Sequence, residues 1–191
     1  MKKPKFVTGE EAAAMIKDDS TIATIGMTLV SASETILKAI EKRFLETGSP
    51  NHLTLVHSCG QSDRDRGIQH FSHEEMLYRI IGGHWGLQPR MMKLISENKI
   101  LAYCIPQGQF AQLYRSMAGG EPGKITKVGL GTFIDPRIDG GKMNAITKDA
   151  PDIVDVVTID GEEYMRYKPI PLDYCIIRGT YVDEMGNLTT D

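Results

Sequence analysis

Cysteine is scarce in this chain of 191 residues, and the three present, Cys59, Cys104 and Cys175, stand far apart. No CxxC pair exists, so neither a zinc site nor a disulfide framework is indicated. Cys104 and Cys175 sit in the apolar runs "LAYCIP" and "DYCIIRG" and read as buried small hydrophobes. A reducing compartment, the cytoplasm, follows. Excess charge is missing too. A net charge of −3 gives no general attraction to nucleic acid or to an anionic membrane, so any anionic ligand must be held by local groups. No apolar run approaches membrane-spanning length. The N-terminal "MKKPKFVTGEEAAAMIKDD" turns polar too soon for a secretory signal. Aromatic residues make up 7%, with a single tryptophan, Trp85, which reads as core or as a subunit contact.

What is present alternates between helix and strand signals. Thr8 and Glu11 form a capping box for a helix over 9–17. "TIATIG" (21–26) is a short apolar strand. Ser33 opens a helix with Ile36, Leu37, Ile40 and Phe44 on one face, stopped by Gly48 and Pro50. "LTLVH" (53–57) is a strand, Ser72 with Glu75 predicts another helix start, and 90–99 reads helical. A strand over 100–105, a helix over 110–118 and a strand over 125–131 follow. Such alternation predicts crossovers and a buried, mostly parallel sheet, hence an α/β/α sandwich of three layers. The texture then changes. "VDVVTIDGEEYMRYK" (154–168) has two alternating runs around Asp160 and Gly161, a hairpin signal. "DYCIIRG" (173–179) reads as a buried strand and 181–190 as a second hairpin.

Several motifs fall short. "AGGEPGKIT" (118–126) has Ala118 where a phosphate loop needs glycine, and Ile125 where it needs a hydroxyl. "VHSCG" (56–60) has Val56 where a nucleophile elbow needs glycine. Ser58 still lies at a strand's carboxyl end, where open α/β sheets bind ligands. His70 and His73 have ligand-like spacing without a third partner, and read as a surface pair. His84 reads as packed or hydrogen-bonded. "SDRDRG" (62–67) reads as a solvated loop with local ion pairs. In "IPQGQF" (105–110), Pro106 ends a strand and leaves Gln107 at the carboxyl edge with Gly108 behind it. There a glutamine can donate to a carboxylate or carbonyl without bringing charge. "GTFIDPRIDGG" (131–141) is a long stretch with neither helical nor strand period, and such loops usually have a task.

"LGTFIDPRIDGGKMN" (130–144), "GGHWGLQPRM" (82–91), "YCIPQGQF" (103–110) and "SDRDRGI" (62–68) together resemble family I coenzyme A transferases, of the acetate, propionate and 3-oxoacid branch. The resemblance covers essentially the whole chain. It implies the fold shared by that family and related sugar-phosphate isomerases, with residues 1–191 as a single N-terminal, alpha-type domain. It implies transfer of CoA between a short-chain acyl-CoA and a free acid by ping-pong chemistry through a glutamate. That glutamate belongs to the C-terminal half. Glu184 in "EMG" is tempting, but it sits at a hairpin tip, so no catalytic residue is assigned to this chain. Gln107 matches the family glutamine that points at the substrate. Ser58 falls near a small polar position facing the same pocket. Gly26, Gly108, Gly131 and Thr132 complete the substrate-binding candidates. After the first strand many members carry several glycines, whereas this chain has "IGMTLVSAS" (25–33) with Gly26 alone. The resemblance further implies CoA as substrate with no permanently bound cofactor or metal. Its partners would be a C-terminal, beta-type half, fused or separate, and a homo-oligomer of the full enzyme. Two alternatives stand beside it: a carboxylate- or sugar-phosphate-binding module without turnover, and a sugar-phosphate isomerase using Lys124 and Asp135.

Overall fold

The computed structural model describes residues 4–190. Five parallel strands form the central sheet: β1 (Thr21–Thr24), β2 (Leu53–His57), β3 (Leu77–Gly82), β4 (Leu101–Cys104) and β8 (Tyr174–Ile176), in the order β4-β3-β2-β1-β8. A second, antiparallel sheet contains β5 (Lys124–Thr126), β6 (Val154–Ile159) and β7 (Glu162–Tyr167), in the order β5-β7-β6. The helices are α1 (Gly9–Ala14), α2 (Glu34–Thr47), α3 (Pro89–Ser96) and α4 (Gln107–Ala118), with a 3-10 turn over Gly67–Phe71. Among the described residues no helix is long and apolar enough to cross a membrane.

Register explains the layers. Ile22, Leu55, Ile80 and Ala102 are aligned across β1 to β4, so their side chains leave one face of the sheet. That face packs on Leu37, Ile40 and Phe44 of α2, Ile68 and Phe71 of the 3-10 turn, and Met91 and Ile95 of α3. The next row, Ala23, Val56, Ile81 and Tyr103, leaves the opposite face. It packs on Phe110 and Leu113 of α4 and on Val154, Met165 and Tyr167 of the small sheet. The third layer is therefore part helix and part sheet. Burying apolar rows on both faces is what a parallel sheet requires.

Local signals explain the ends of elements. Thr8 and Glu11 close their capping box at both bonds, Glu11 N–H to Thr8 Oγ1 at 3.1 Å and Thr8 N–H to Glu11 Oε2 at 2.7 Å. Gly48 ends α2 at φ +74°, its N–H donating to the Phe44 carbonyl at 2.7 Å. The hairpin of β6 and β7 turns at Asp160 and Gly161, both at positive φ, as expected for that turn class.

Five expectations are corrected. The helix expected from Ser72 and Glu75 is a short turn leading into β3, because Leu77 and Ile80 face one core while Ile81 faces the other. Ile80 and Ile81, adjacent in sequence, thus enter opposite cores, as successive residues of a strand do, while a register shift opposite Leu53 and Thr54 of β2 lets Leu77 share the face of Ile80. The strand expected over 125–131 ends at Thr126 and pairs antiparallel with β7. Gly129 and Gly131, at φ +111° and +71°, take the chain out of extended geometry. Helix α4 begins at Gln107, earlier than expected, since Pro106 serves as its N-cap. β8 is an edge strand, so Cys175 is exposed, not buried. His70 is buried between α2 and the 3-10 turn, facing Glu34 through Nε2 at 2.9 Å and Glu41 through Nδ1; it is no surface residue.

Candidate active site

All five parallel strands point their carboxyl ends the same way, so the loops that follow them share one edge of the sheet. Gln107 stands there, exposed, at the first position of α4. Gly83 follows β3, and Ser58 follows β2. The three occupy one space: a Cβ on Gly83 would lie 2.3 Å from the Ser58 carbonyl oxygen and 2.7 Å from Gln107 Cγ. Only glycine at 83 lets these loops meet. Gln107 Nε2 donates to Cys59 Sγ at 3.5 Å, a weak acceptor that a ligand oxygen can replace at little cost. Gly108 has open space where its Cβ would be, and behind it the Gln109 N–H donates to the carbonyl of Pro106, the N-cap, at 2.9 Å.

The Ser58 loop is fixed from below. His57 is fully buried, and that burial pushes its imidazole down to about 4. The neutral ring donates from Nδ1 to the Cys59 carbonyl at 2.7 Å and accepts the Trp85 indole N–H at Nε2, 3.1 Å away. Both bonds are met by one tautomer. The pair needs a glycine beneath it, since a Cβ on Gly82 would stand 2.5 Å from His57 Nε2. Trp85 is buried here, whereas His84 is exposed.

On the β1 side, Gly26 at φ +147° begins a tight turn. Thr28 N–H, within it, donates to the Gly60 carbonyl at 2.9 Å. Gly26, Ser58, Gly83, Gln107 and Gly108 thus line the same edge. Sequence reasoning did not single out Gly83, His57 or Cys59. The signal available for Gly83 was the "GGHWG" stretch immediately after an apolar run.

Gly131 and Thr132 are held elsewhere, within their own loop. Gly131 N–H donates to Asp135 Oδ2 at 2.9 Å and Thr132 Oγ1 to the Gly129 carbonyl at 2.8 Å. Asp135, 1% exposed, also takes Arg137 Nε at 2.9 Å, Nη2 at 2.8 Å and the Arg137 backbone N–H at 3.0 Å. The Arg137 guanidinium first, with these backbone donors, holds the Asp135 carboxyl well below the usual range despite its burial. The loop returns along β4, with Cys104 N–H donating to the Gly141 carbonyl at 2.7 Å and Met143 N–H to the Ala102 carbonyl at 2.9 Å. It therefore covers the sheet's outer edge. Asp135 is thus engaged by Arg137, and Lys124 lies on β5, so the pair is not assembled at the parallel strand ends. In the 62–67 loop Arg66 pairs with Asp63 at 2.6 Å, as a local ion pair.

A coenzyme A transferase family model matches residues 6–191. The chain belongs to the coenzyme A transferase family. It is 41% identical to caffeate CoA-transferase of Acetobacterium woodii over 97% of its own length, which is 35% of that protein. It is 28% identical to the acetoacetyl-CoA:acetate/butyrate CoA transferase alpha subunit of Clostridium acetobutylicum, covering 96% of this chain and 74% of that one. The crystal structure of the acyl-CoA transferase YdiF apoenzyme of Escherichia coli superposes with a TM-score of 0.92 at 35% identity, over 99% of this chain and 38% of YdiF. The chain thus spans about a third of the length of the first relatives it matches, in their N-terminal part.

Proposed function

We propose that this chain forms one wall of the active site of an acyl-CoA:carboxylate CoA-transferase, completed by a C-terminal, beta-type half. The reaction moves CoA between a short-chain acyl-CoA and a free acid of the acetate, propionate, butyrate or acetoacetate class. The relative named for caffeate extends that class to aryl acids. The observation that carries the reading is the exposed Gln107 amide, sharing the space over Gly83 with Ser58 at the carboxyl edge.

The chemistry of the reading is covalent catalysis by a carboxylate nucleophile. A glutamate of the other half attacks the thioester carbonyl. The carbon–sulfur bond breaks, CoA leaves as thiolate and an acyl-glutamyl anhydride remains. The thiolate then attacks the glutamyl carbonyl of the anhydride, releasing the first acid and forming a glutamyl-CoA thioester. The second acid reverses both steps. Each addition builds negative charge on a carbonyl oxygen, which needs donors already in place. Gln107 supplies one, its amide exchanging Cys59 Sγ for a substrate oxygen. Because the glutamine is neutral, it binds a carboxylate without trapping it as an ion pair.

The Clostridium relative, named an alpha subunit, supports a separate partner chain. The relatives of which this chain spans about a third support a fused one. Assembly into a homo-oligomer and work in the cytoplasm, where acyl-CoA is drawn from a common pool, belong to the same reading. The test is transfer from acetyl-CoA to propionate by the chain alone and after mixing with its separately prepared C-terminal half. Turnover in the mixture alone, with a CoA adduct on the C-terminal half by mass spectrometry, is expected. Equal turnover by the isolated chain, or none in the mixture, overturns the reading.

A further inference from the structure

The turn between β1 and α2 is strained and apolar, while the edge around it is open and polar. Thr28 lies at φ +51° and Ser31 at φ +61°. A β-branched residue at positive φ is an outlier that persists only where its surroundings hold it, and such outliers gather at functional sites. Here the restraint is visible. Met27 N–H donates to the Val30 carbonyl at 3.1 Å, Val30 N–H to the Met27 carbonyl at 2.9 Å, and Thr28 N–H to Gly60. A Cβ on Gly26 would stand 2.7 Å from the Val30 carbonyl oxygen, so the chain folds back only at glycine.

Met27 and Val30 pair antiparallel, and residues so paired send their side chains to one face. They are 60% and 67% exposed. Val30 lines a cleft of about 520 Å³ together with Ser31, Arg178 and Gly179. The cleft lies at the carboxyl ends of β1 and β8. There the chain order diverges, with β2 on one side of β1 and β8 on the other, the position at which open α/β sheets take ligands.

We propose that Met27 and Val30 select the acyl group, favouring butyryl and larger or aryl groups over acetyl. The inference rests on the CoA-transferase reading above. Ser58 ends the strand next to β1, and neighbouring strands run about 4.8 Å apart. A carbonyl held beside Ser58 and Gln107 therefore leaves an acetyl methyl short of the turn. A butyryl chain or a phenyl ring reaches it and trades water for apolar contact. Methionine adapts to varied apolar shapes, so the wall suits a class of acyl groups rather than one.

The test compares kcat/KM for acetyl-CoA, butyryl-CoA and cinnamoyl-CoA, with propionate as acceptor, in the chain assembled with its C-terminal half. In a Met27→Ala, Val30→Ala double variant the butyryl-to-acetyl ratio falls about 10-fold or more, in line with the discrimination an apolar wall gives per methylene. Met27→Leu, which keeps apolar volume, retains the preference. A ratio that stays constant, including an equal loss toward all three esters, overturns the selector role and leaves the turn a structural support. A wild-type assembly that transfers CoA to no acid defeats the function reading itself. Transfer with an unmoved ratio defeats this inference alone.

Discussion

The 131–141 loop and the carboxyl edge of the parallel sheet both depend on glycine, and they use it for opposite ends. In the loop, Gly131, Gly140 and Gly141 take positive φ, which lets backbone and side-chain donors converge on one buried carboxylate, Asp135. The polar groups of that region are spent on each other. At the edge, Gly82 and Gly83 are needed for the space they leave. Under Gly82 that space is filled by a hydrogen-bonded His57–Trp85 pair. Over Gly83 it is shared by Ser58 and a glutamine whose amide, among the described residues, has only a thiol for company. A region that has satisfied itself has little left to offer a ligand. A region held rigid from beneath and left under-satisfied on top is suited to binding.

Filling the edge tests this most severely. Gly83→Ala drives a methyl into the Ser58 carbonyl and Gln107 Cγ. A displacement of about 1 Å at a reacting centre can cost roughly 100-fold, and that is the expected loss in kcat/KM for the assembled transferase. Full activity in this variant would mean that substrate does not use the space. In the loop the same severity appears as stability. Asp135→Ala takes the acceptor from the Gly131 and Arg137 backbone N–H groups, which stand on exposed residues, and should cost about 1–2 kcal/mol in urea unfolding, toward the lower end of the cost of donors left unpaired. Its effect on turnover per folded molecule is expected to be smaller than that of Gly83→Ala. The reverse ranking would exchange the roles of the two regions.

The parallel sheet was legible because its strands are short apolar runs between capped helices, and "LTLVH" and "TIATIG" announce themselves. β3 was not, since Ser72 and Glu75 imitate a helix start and Leu77 and Ile80, three apart, keep helical spacing; the irregularity against β2 that puts both on one face is not written in the segment itself. The third layer was legible only in part. The Asp160–Gly161 hairpin was clear, but that β5 joins it is decided by Tyr167 and Met165 across the ladder, far away in sequence. Gln107 could be placed from Pro106 before it and the strand before that. Gly83 could not, because its role is defined by atoms of two other loops. The 131–141 loop was legible only as special: its composition does not say whether it serves a ligand or the fold.

His57 extends the comparison to pH. Buried and neutral, it titrates near 4 in the folded state against about 6.5 when unfolded. Between those values the unfolded chain binds a proton that the folded chain refuses, so stability falls as pH drops from 6.5 toward 4. At about 1.4 kcal/mol per unit, the loss between pH 7 and 4.5 is about 2 kcal/mol. Urea midpoints across that range should flatten in His57→Gln. An unchanged slope would place the titration elsewhere and remove the claim that the Ser58 loop rests on a neutral imidazole.

The Glu34 and Glu41 pair on α2 gives the smallest effect and the cleanest sign. Burial works to raise both carboxyls, and for Glu34 it is opposed by hydrogen bonds from His70 and the Gly67 N–H, for Glu41 by those from His73 and His70; the bonds win and both are lowered from 4.5. Arg90 stands 3.8 Å from Glu41 and Lys38 3.7 Å from Glu34. Groups so depressed contribute stability that is complete above pH 4.5 and is lost as pH falls through their lower folded values. This window lies below that of His57, so the two separate experimentally. In Glu41→Gln, stability at pH 7 should drop by about 1 kcal/mol or less, as for a partly exposed pair. The wild-type decline below pH 4.5 should become shallower. A variant whose decline below pH 4.5 stayed as steep as that of wild type would remove Glu41 from this window and leave the acid limb to other carboxylates.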